Sequence, residues 1–353
     1  MGSDNYLIMK LFVLTHTYFG DGSSEMLITI LRYWRQTLGW EVDALSHPAM
    51  SESELYILQS LDVRLIERAN FSEKYDFALI NCLQNIRYVD FIYPNIPIIL
   101  WAHEAETVLS AMKATNSDWL KWFSKASLII FQTSWQHDIY SKYLKEVKNE
   151  KIAVIPNGVF PLSTPAKEKS GDSFKIVNVG KITPLKNQEL LIHAVVNLLP
   201  NCRIECELIG DTKYLNYLNV NAINLLKKHS ESFSIPGHIS KEKLASKLVS
   251  ADLFCFTSLS ESFGLAPLEA ASLGLTILLP DLPVYKDVGW IKNKNCLMYI
   301  SNDLLDLQRQ INWAINNKIE SRKIAGEGKE LSLRFSVSEF ESKMTNLIST
   351  IKH

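Results

Sequence analysis

Short apolar runs recur along this chain, each four to eight residues long and each broken by turn residues or a stretch with helical spacing. The first series falls at 10–15, 41–45, 63–66, 77–81, 96–101, 128–132 and 151–156. Uninterrupted apolar runs, rather than strict alternation, predict strands covered on both faces, as in a parallel sheet flanked by helices. The stretch 161–173 (Pro-Leu-Ser-Thr-Pro-Ala-Lys-Glu-Lys-Ser-Gly-Asp-Ser) has the composition of a linker. A second series follows at 174–179, 203–210, 233–236, 252–257 and 276–279, with helical patterns from Asn187, at 216–229 and at 241–249. Further helical patterns at 303–317, 319–332 and 336–352 close the chain. The expected fold is α/β, with two Rossmann-like doubly wound domains at 1–160 and 161–335.

Composition narrows this picture little. The chain has 353 residues, 47% hydrophobic and 21% charged, which suits two ordinary globular domains. The formal charge of −1 gives no global case for nucleic acid. Its distribution is more telling: the first 160 residues carry 14 basic and 18 acidic groups, the remainder 23 and 20. A modestly basic second half suits a domain that holds a diphosphate. The five cysteines (Cys82, Cys202, Cys206, Cys255, Cys296) form no Cys-x-x-Cys pair, so buried free thiols in a reducing cytoplasm are expected and a metal site is not. No apolar run reaches ~18 residues, so no transmembrane helix is expected. Residues 1–8 lack the basic start of a secretory signal.

The most informative stretch reads Ser-Glu-Ser-Phe-Gly-Leu-Ala-Pro-Leu-Glu-Ala from Ser260 to Ala270. It follows a predicted strand and enters a predicted helix that stops near Gly274. Gly264 permits an unusual backbone turn, and Pro267 suits a first helical turn. Strand, glycine loop and helix N-terminus leave backbone N–H groups and a positive dipole end for an anionic phosphate. Glu261 and Glu269 lie beside it, where carboxylates can accept hydrogen bonds from sugar or ribose hydroxyls. A glycosidase pair fits less well. Eight helical positions separate backbones by about 12 Å, and retaining hydrolases hold their carboxyls about 5–5.5 Å apart.

Glu261-x7-Glu269, inside Ser-Glu-Ser-Phe-Gly-Leu-x-Pro-Leu-Glu-Ala, resembles the signature of the family-four retaining glycosyltransferases, also described as glycosyl transferases group 1. The resemblance implies the GT-B fold: two Rossmann-like domains facing a central cleft, with the final helix (336–353) packed back on the first. It implies that Glu261 contacts the donor sugar and Glu269 the nucleotide ribose, within a donor loop of Ser262, Phe263, Gly264 and Leu265. Val179-Gly-Lys-Ile-Thr-Pro-Leu-Lys186 resembles the family's Gly-Arg-x-x-x-x-Lys segment, so Lys181 and Lys186 are the expected diphosphate ligands. Lys181 stands where arginine is commoner and loses the bidentate fork. Gly210, ending Leu-Ile-Gly, is expected to line the nucleotide. The turn Pro236-Gly-His-Ile-Ser240 resembles one near the base. In the first domain, Gly22-Ser23-Ser24-Glu25 resembles a Gly-Gly-x-Glu loop that approaches the donor phosphate, with Ser23 replacing the second glycine. His103, directly after a predicted strand, matches a histidine that faces the reacting sugar. His16 is the other histidine at a strand end.

The implied activity is transfer of a sugar from a nucleotide-sugar donor to an acceptor hydroxyl, with retention and without a metal. His103, Glu261 and Lys186 would carry the reaction. No cofactor is expected, because the nucleotide sugar is a substrate, with a UDP-sugar favoured over a GDP-sugar. A glycan, a lipid-linked sugar and a small molecule all remain open as acceptor. The resemblance implies a cytoplasmic protein of glycan, polysaccharide or glycoconjugate biosynthesis, with peripheral contact at the inner membrane face left open. Two alternatives keep the fold: a nucleotide-sugar epimerase or sugar phosphorylase, and a catalytically silent partner subunit.

Overall fold

A computed structural model describes residues 8–46, 50–67, 75–94, 96–105, 107, 112, 115–160, 162 and 172–351. The expected linker therefore lies almost wholly outside the described residues. The chain divides into two compact units, Met1–Gly158 with Val337–His353, and Val159–Ser336.

The first unit is built on a seven-stranded, all-parallel sheet in the order β3-β2-β1-β4-β5-β6-β7. Its strands are β1 (Lys10–Thr15), β2 (Glu41–Leu45), β3 (Arg64–Ile66), β4 (Phe77–Asn81), β5 (Ile98–Trp101), β6 (Leu128–Phe131) and β7 (Ile152–Val154). Every residue of β4, β5 and β6 is buried, as their unbroken apolar sequences require. After β1 the chain is regular α-helix over Gly22–Arg32. A π-helical turn follows at Tyr33–Thr37, with Leu38 N–H reaching back to the Tyr33 carbonyl at 3.2 Å. Trp34 in this widened turn stacks on Trp40 at 5.1 Å.

The helix Val337–Ser349 belongs to the first unit. Trp34 Nε1 donates to Thr345 Oγ1 at 2.9 Å, and Phe340 stacks on Trp101 at 5.8 Å. Gly158 admits this helix closely, since a Cβ there would lie 2.8 Å from the Val337 Cα.

The second unit has a six-stranded, all-parallel sheet in the order β10-β9-β8-β11-β12-β13. Here β8 is Phe174–Val179, β9 Ile204–Ile209, β10 Phe233–Gly237, β11 Leu253–Cys255, β12 Thr276–Pro280 and β13 Leu297–Tyr299. The short β13 and the helix Pro283–Val288 are additions to the sequence reading. The long pattern at 216–229 resolves into a 3₁₀ stretch, Thr212–Tyr217, and the helix Val220–Lys228. In both sheets the strand order reverses beside the first strand, between β1 and β4 and between β8 and β11. Such switch points open a crevice at the carboxyl ends of the strands, where ligands bind in doubly wound folds.

Beside the second switch point the ends of β8 and β9 approach so closely that Gly210 has no room for a side chain. A Cβ there would lie 2.0 Å from the Gly180 carbonyl oxygen. Both partners are backbone, so Gly210→Ala is expected to cost about 3 kcal/mol. Urea unfolding would measure it, and a loss below ~1 kcal/mol would show that the strand ends part easily.

Candidate functional site

Of the predicted donor-binding residues of the second unit, Lys181, Lys186, Glu261, Ser262, Phe263 and Gly264 lie on the two loops that leave β8 and β11. Leu265 and Glu269 lie on the helix after the second loop, and Gly210 just after β9. Because β8 and β11 are neighbours, their loops are stitched together directly. Thr257 Oγ1 donates to the Lys186 carbonyl at 2.8 Å, and Leu259 N–H donates to the Leu185 carbonyl at 2.8 Å. Gln188 Nε2 donates to the Lys181 carbonyl at 3.0 Å, fixing the start of the first loop. Asn187 turns the chain into the helix Gln188–Leu198 with a left-handed φ of 50°.

This stitching places Lys186 against Glu261. The Lys186 ammonium donates to Glu261 Oε1 and lies 5.1 Å from the centre of the Phe256 ring. Both side chains are largely enclosed, at 25% and 11% exposure. A close ion pair so placed is screened by water much less than a surface pair. Lys181 is half-buried on the same loop.

After Glu261 the chain passes through Gly264, at φ 84°, into the helix Leu265–Ser272. The left-handed geometry favours glycine, and a Cβ would press to 2.9 Å from Tyr285 Cε1. No side chain caps this helix. Its first N–H groups are thus left to backbone, water or a ligand. Phe263 turns inward instead of lining the crevice: it is buried, with its ring edge-on to Phe335 at 5.4 Å. Its side chain is a wedge behind the loop. Ser262 and Leu265 are half-buried beside it. Gly210 is near β8 for a packing reason already given, its missing side chain making room for the Gly180 carbonyl.

Glu269 does not share the environment of Glu261. It is 7% exposed, and burial pushes its carboxyl up to about 6 although the Lys241 ammonium pulls the other way. Lys241 is itself pushed down by burial, with the Glu269 charge opposing. Its ammonium lies 4.5 Å over the Phe160 ring. Each glutamate therefore has its own cation. Sequence reading passed over Lys241, although it directly follows the turn Pro236–Ser240 and starts the helix Lys241–Ser250.

In the first unit the loop after β1 carries His16 and Asp21, and Gly22 and Ser23 open the helix that follows. Asp21 caps the helix Gly22–Arg32, taking Ser24 N–H at 2.9 Å and the Ser23 hydroxyl at 2.7 Å on Oδ1. Ser23 is thus turned onto the cap. Gly22 is exposed, and a Cβ there would meet nothing within 4 Å. His16 Nε2 lies 3.2 Å from Asp21 Oδ2, and its buried Nδ1 has no hydrogen-bond partner among the described residues.

His103 follows β5 at the same end of this sheet. Gln132 Nε2 donates to its Nδ1, which leaves the proton on Nε2 to be donated to Asn81 Oδ1 at 2.9 Å. Asn81 passes the chain on from its amide nitrogen to Thr15 Oγ1 at 3.1 Å. Burial pushes the imidazole down to about 3, while the Asp21 charge pulls it up and His16 opposes. His103 is therefore a neutral ring with both nitrogens engaged, suited to holding a shape and poorly suited to shuttling protons. Among the described residues no group of three or more His, Cys, Asp or Glu side chains is placed to hold a metal ion. Among the described residues no helix is long and apolar enough to cross a membrane.

The raised Glu269 carboxyl has a measurable consequence for stability. Its folded pKa lies above the value of about 4.5 for an unperturbed glutamate. The native state thus holds a proton that the unfolded chain has lost between about pH 4.5 and 6, and stability falls as pH rises through that window. The loss is on the order of 2 kcal/mol. Glu269→Gln should flatten that part of the urea-derived stability curve between pH 4 and 7, and a variant curve parallel to wild type would refute the assignment.

Comparison with known proteins places the second unit. Residues 161–331 match the family of glycosyl transferases group 1. The GPI3 subunit of phosphatidylinositol N-acetylglucosaminyltransferase from Saccharomyces cerevisiae is 26% identical over 181 residues, covering 48% of this chain and 39% of the relative. An uncharacterized glycosyltransferase of Methanocaldococcus jannaschii is 30% identical over 175 residues, 46% of this chain and 41% of its own length. The chain spans about two-fifths of the length of these curated relatives. Among solved structures, HepE of Anabaena in complex with UDP-glucose superposes with a TM-score of 0.78 at 17% identity, covering 97% of this chain and 100% of that one. That likeness shows the fold, GT-B, with its two Rossmann-like parallel-sheet domains. The match to the glycosyl transferases group 1 thus spans residues 161–331, just under half of the chain.

Proposed function

We propose that this chain transfers a sugar from a nucleotide-sugar donor, a UDP-sugar, to an acceptor hydroxyl with retention at the anomeric carbon and without a metal. One observation carries the reading: Lys186 and Glu261 are held together at the switch point of the second sheet, beside a helix N-terminus that no side chain caps. A cation and a helix N-terminus there suit a diphosphate, and an adjacent carboxylate suits sugar hydroxyls. The choice of UDP draws on the UDP-glucose bound to HepE, a protein of the same fold.

In this reading Lys181 and Lys186 bind the diphosphate and stabilise the charge that grows as the sugar departs. Glu261 orients the sugar through its hydroxyls. Glu269, kept largely ionised at neutral pH with help from Lys241, accepts from the ribose hydroxyls. The bond from the anomeric carbon to the phosphate oxygen breaks, and the acceptor oxygen bonds to that carbon on the same face. The acceptor's proton passes to the departing phosphate, which serves as base. His103 supplies a fixed neutral surface at the first sheet's strand ends, with Gly22 and Ser23 at the start of the helix that follows β1. The acceptor is a hydroxyl of a glycan, a lipid-linked sugar or a small molecule, in a biosynthetic role.

Thermal melting against UDP, GDP, ADP, dTDP and CMP tests the pocket. UDP at 100 times its dissociation constant should stabilise by about 2.7 kcal/mol, and Lys186→Ala and Glu269→Ala should each abolish the shift. Absence of a shift with every nucleotide at millimolar concentration would sink the reading. Glu261→Gln should keep the UDP shift yet lower sugar transfer about 100-fold, the loss expected when a charged hydrogen-bond acceptor of the sugar is neutralised. Undiminished transfer by that variant would remove Glu261 from the sugar site.

A further inference from the structure

Behind the Glu261 loop lies a hydroxyl with nothing to bond to. Tyr285, on the helix Pro283–Val288, is 0% exposed, and its phenol oxygen has no hydrogen-bond partner among the described residues. Buried hydroxyls without partners are uncommon, because their hydration is lost and nothing replaces it. The ring lies directly under Gly264: a Cβ built on that glycine would be 2.9 Å from Cε1 and 3.6 Å from the hydroxyl oxygen. The phenol therefore faces the backbone of the loop that carries Glu261, three residues earlier.

Three titratable groups act on this phenol: Glu261, Tyr299 and Cys296. Tyr299 is committed, since its hydroxyl donates to the Phe256 carbonyl at 3.2 Å. Cys296 is a buried thiol and a weak partner. Glu261 is the strong acceptor of the three, and in this structure its Oε1 is taken by the Lys186 ammonium.

We infer that Tyr285 is a positioning residue for Glu261, its hydroxyl donating to that carboxylate once a donor's diphosphate draws the Lys186 ammonium towards itself. The inference rests on the proposed nucleotide-sugar reading. A diphosphate carries more negative charge than one carboxylate, so the ammonium shifts its weight towards the diphosphate. Glu261, only 11% exposed, then needs another donor to stay aimed at the sugar. A phenol O–H meeting a carboxylate makes a short, charge-assisted hydrogen bond. The unpartnered hydroxyl is thus held in reserve for the donor-bound state.

Tyr285→Phe, which removes only the oxygen, tests this in the full chain. The donor-free melting temperature should be unchanged or higher, because the hydroxyl makes no bond there. The melting shift produced by UDP should match wild type, while kcat/KM for the UDP-sugar falls about tenfold, as for loss of a hydrogen bond to a charged group. In a Glu261→Gln background the same substitution should have no further effect on transfer. Two results overturn the inference: kcat/KM within twofold of wild type, or a donor-free melting temperature several degrees lower, which would mark a hydroxyl that serves the fold. If wild type binds none of the nucleotides, the functional reading fails and this inference with it. A UDP-binding protein indifferent to Tyr285→Phe overturns this inference alone.

Discussion

A lysine and a glutamate 75 residues apart meet because two parallel strands, β8 and β11, are neighbours at the place where the second sheet reverses its order. Everything proposed for this unit depends on that adjacency. The loops are short and tied by the Thr257 hydroxyl and the Leu259 amide to carbonyls of the opposite loop, so neither charged side chain has to search for the other. An ion pair this enclosed costs desolvation on both sides and adds little net stability by itself. Its value is positional. It holds a cation beside the N-terminus of Leu265–Ser272, where the peptide dipoles already favour an anion.

The two glutamates illustrate how environment, rather than residue type, assigns roles. Glu261 lies at the crevice against a lysine in direct contact. Glu269 lies deeper, where burial raises its carboxyl to about 6 and the Lys241 charge restrains the rise. The first unit shows a third solution. His103 is desolvated and wired at both nitrogens to the side chains of Asn81 and Gln132, so its charge state does not respond to pH near neutrality.

Much of the fold was readable because buried parallel strands are written as unbroken apolar runs, and the strands β4, β5, β6, β11 and β12 within such runs are fully buried here. The three residues of β13 are too few to stand out, and the π-helical turn at Tyr33 keeps a spacing close to that of an α-helix. At the site, the glycine loop and the two lysines were visible as motifs, but partner choice was not. Nothing local says that Lys186 closes on Glu261, or that Phe263 turns inward. Lys241 reads in sequence as a solvated lysine in a first helical turn. Tyr285 reads as one more buried aromatic, and only the three-dimensional account of hydrogen bonds shows its oxygen to be idle.

The helix Val337–Ser349 also has a consequence for how the molecule comes into being. The first unit buries Trp34 and Trp101 against residues more than 200 positions later in the chain, Thr345 and Phe340. A ribosome delivers the seven strands of that unit well before it delivers the helix that completes their packing. Until then the apolar surface meant for Phe340, Met344 and Ile348, all buried in the finished structure, has no cover of its own. The second unit is contiguous in sequence and has no such wait. Synthesis thus favours an order opposite to the order of the genetic text, with the later-encoded unit able to close its core first.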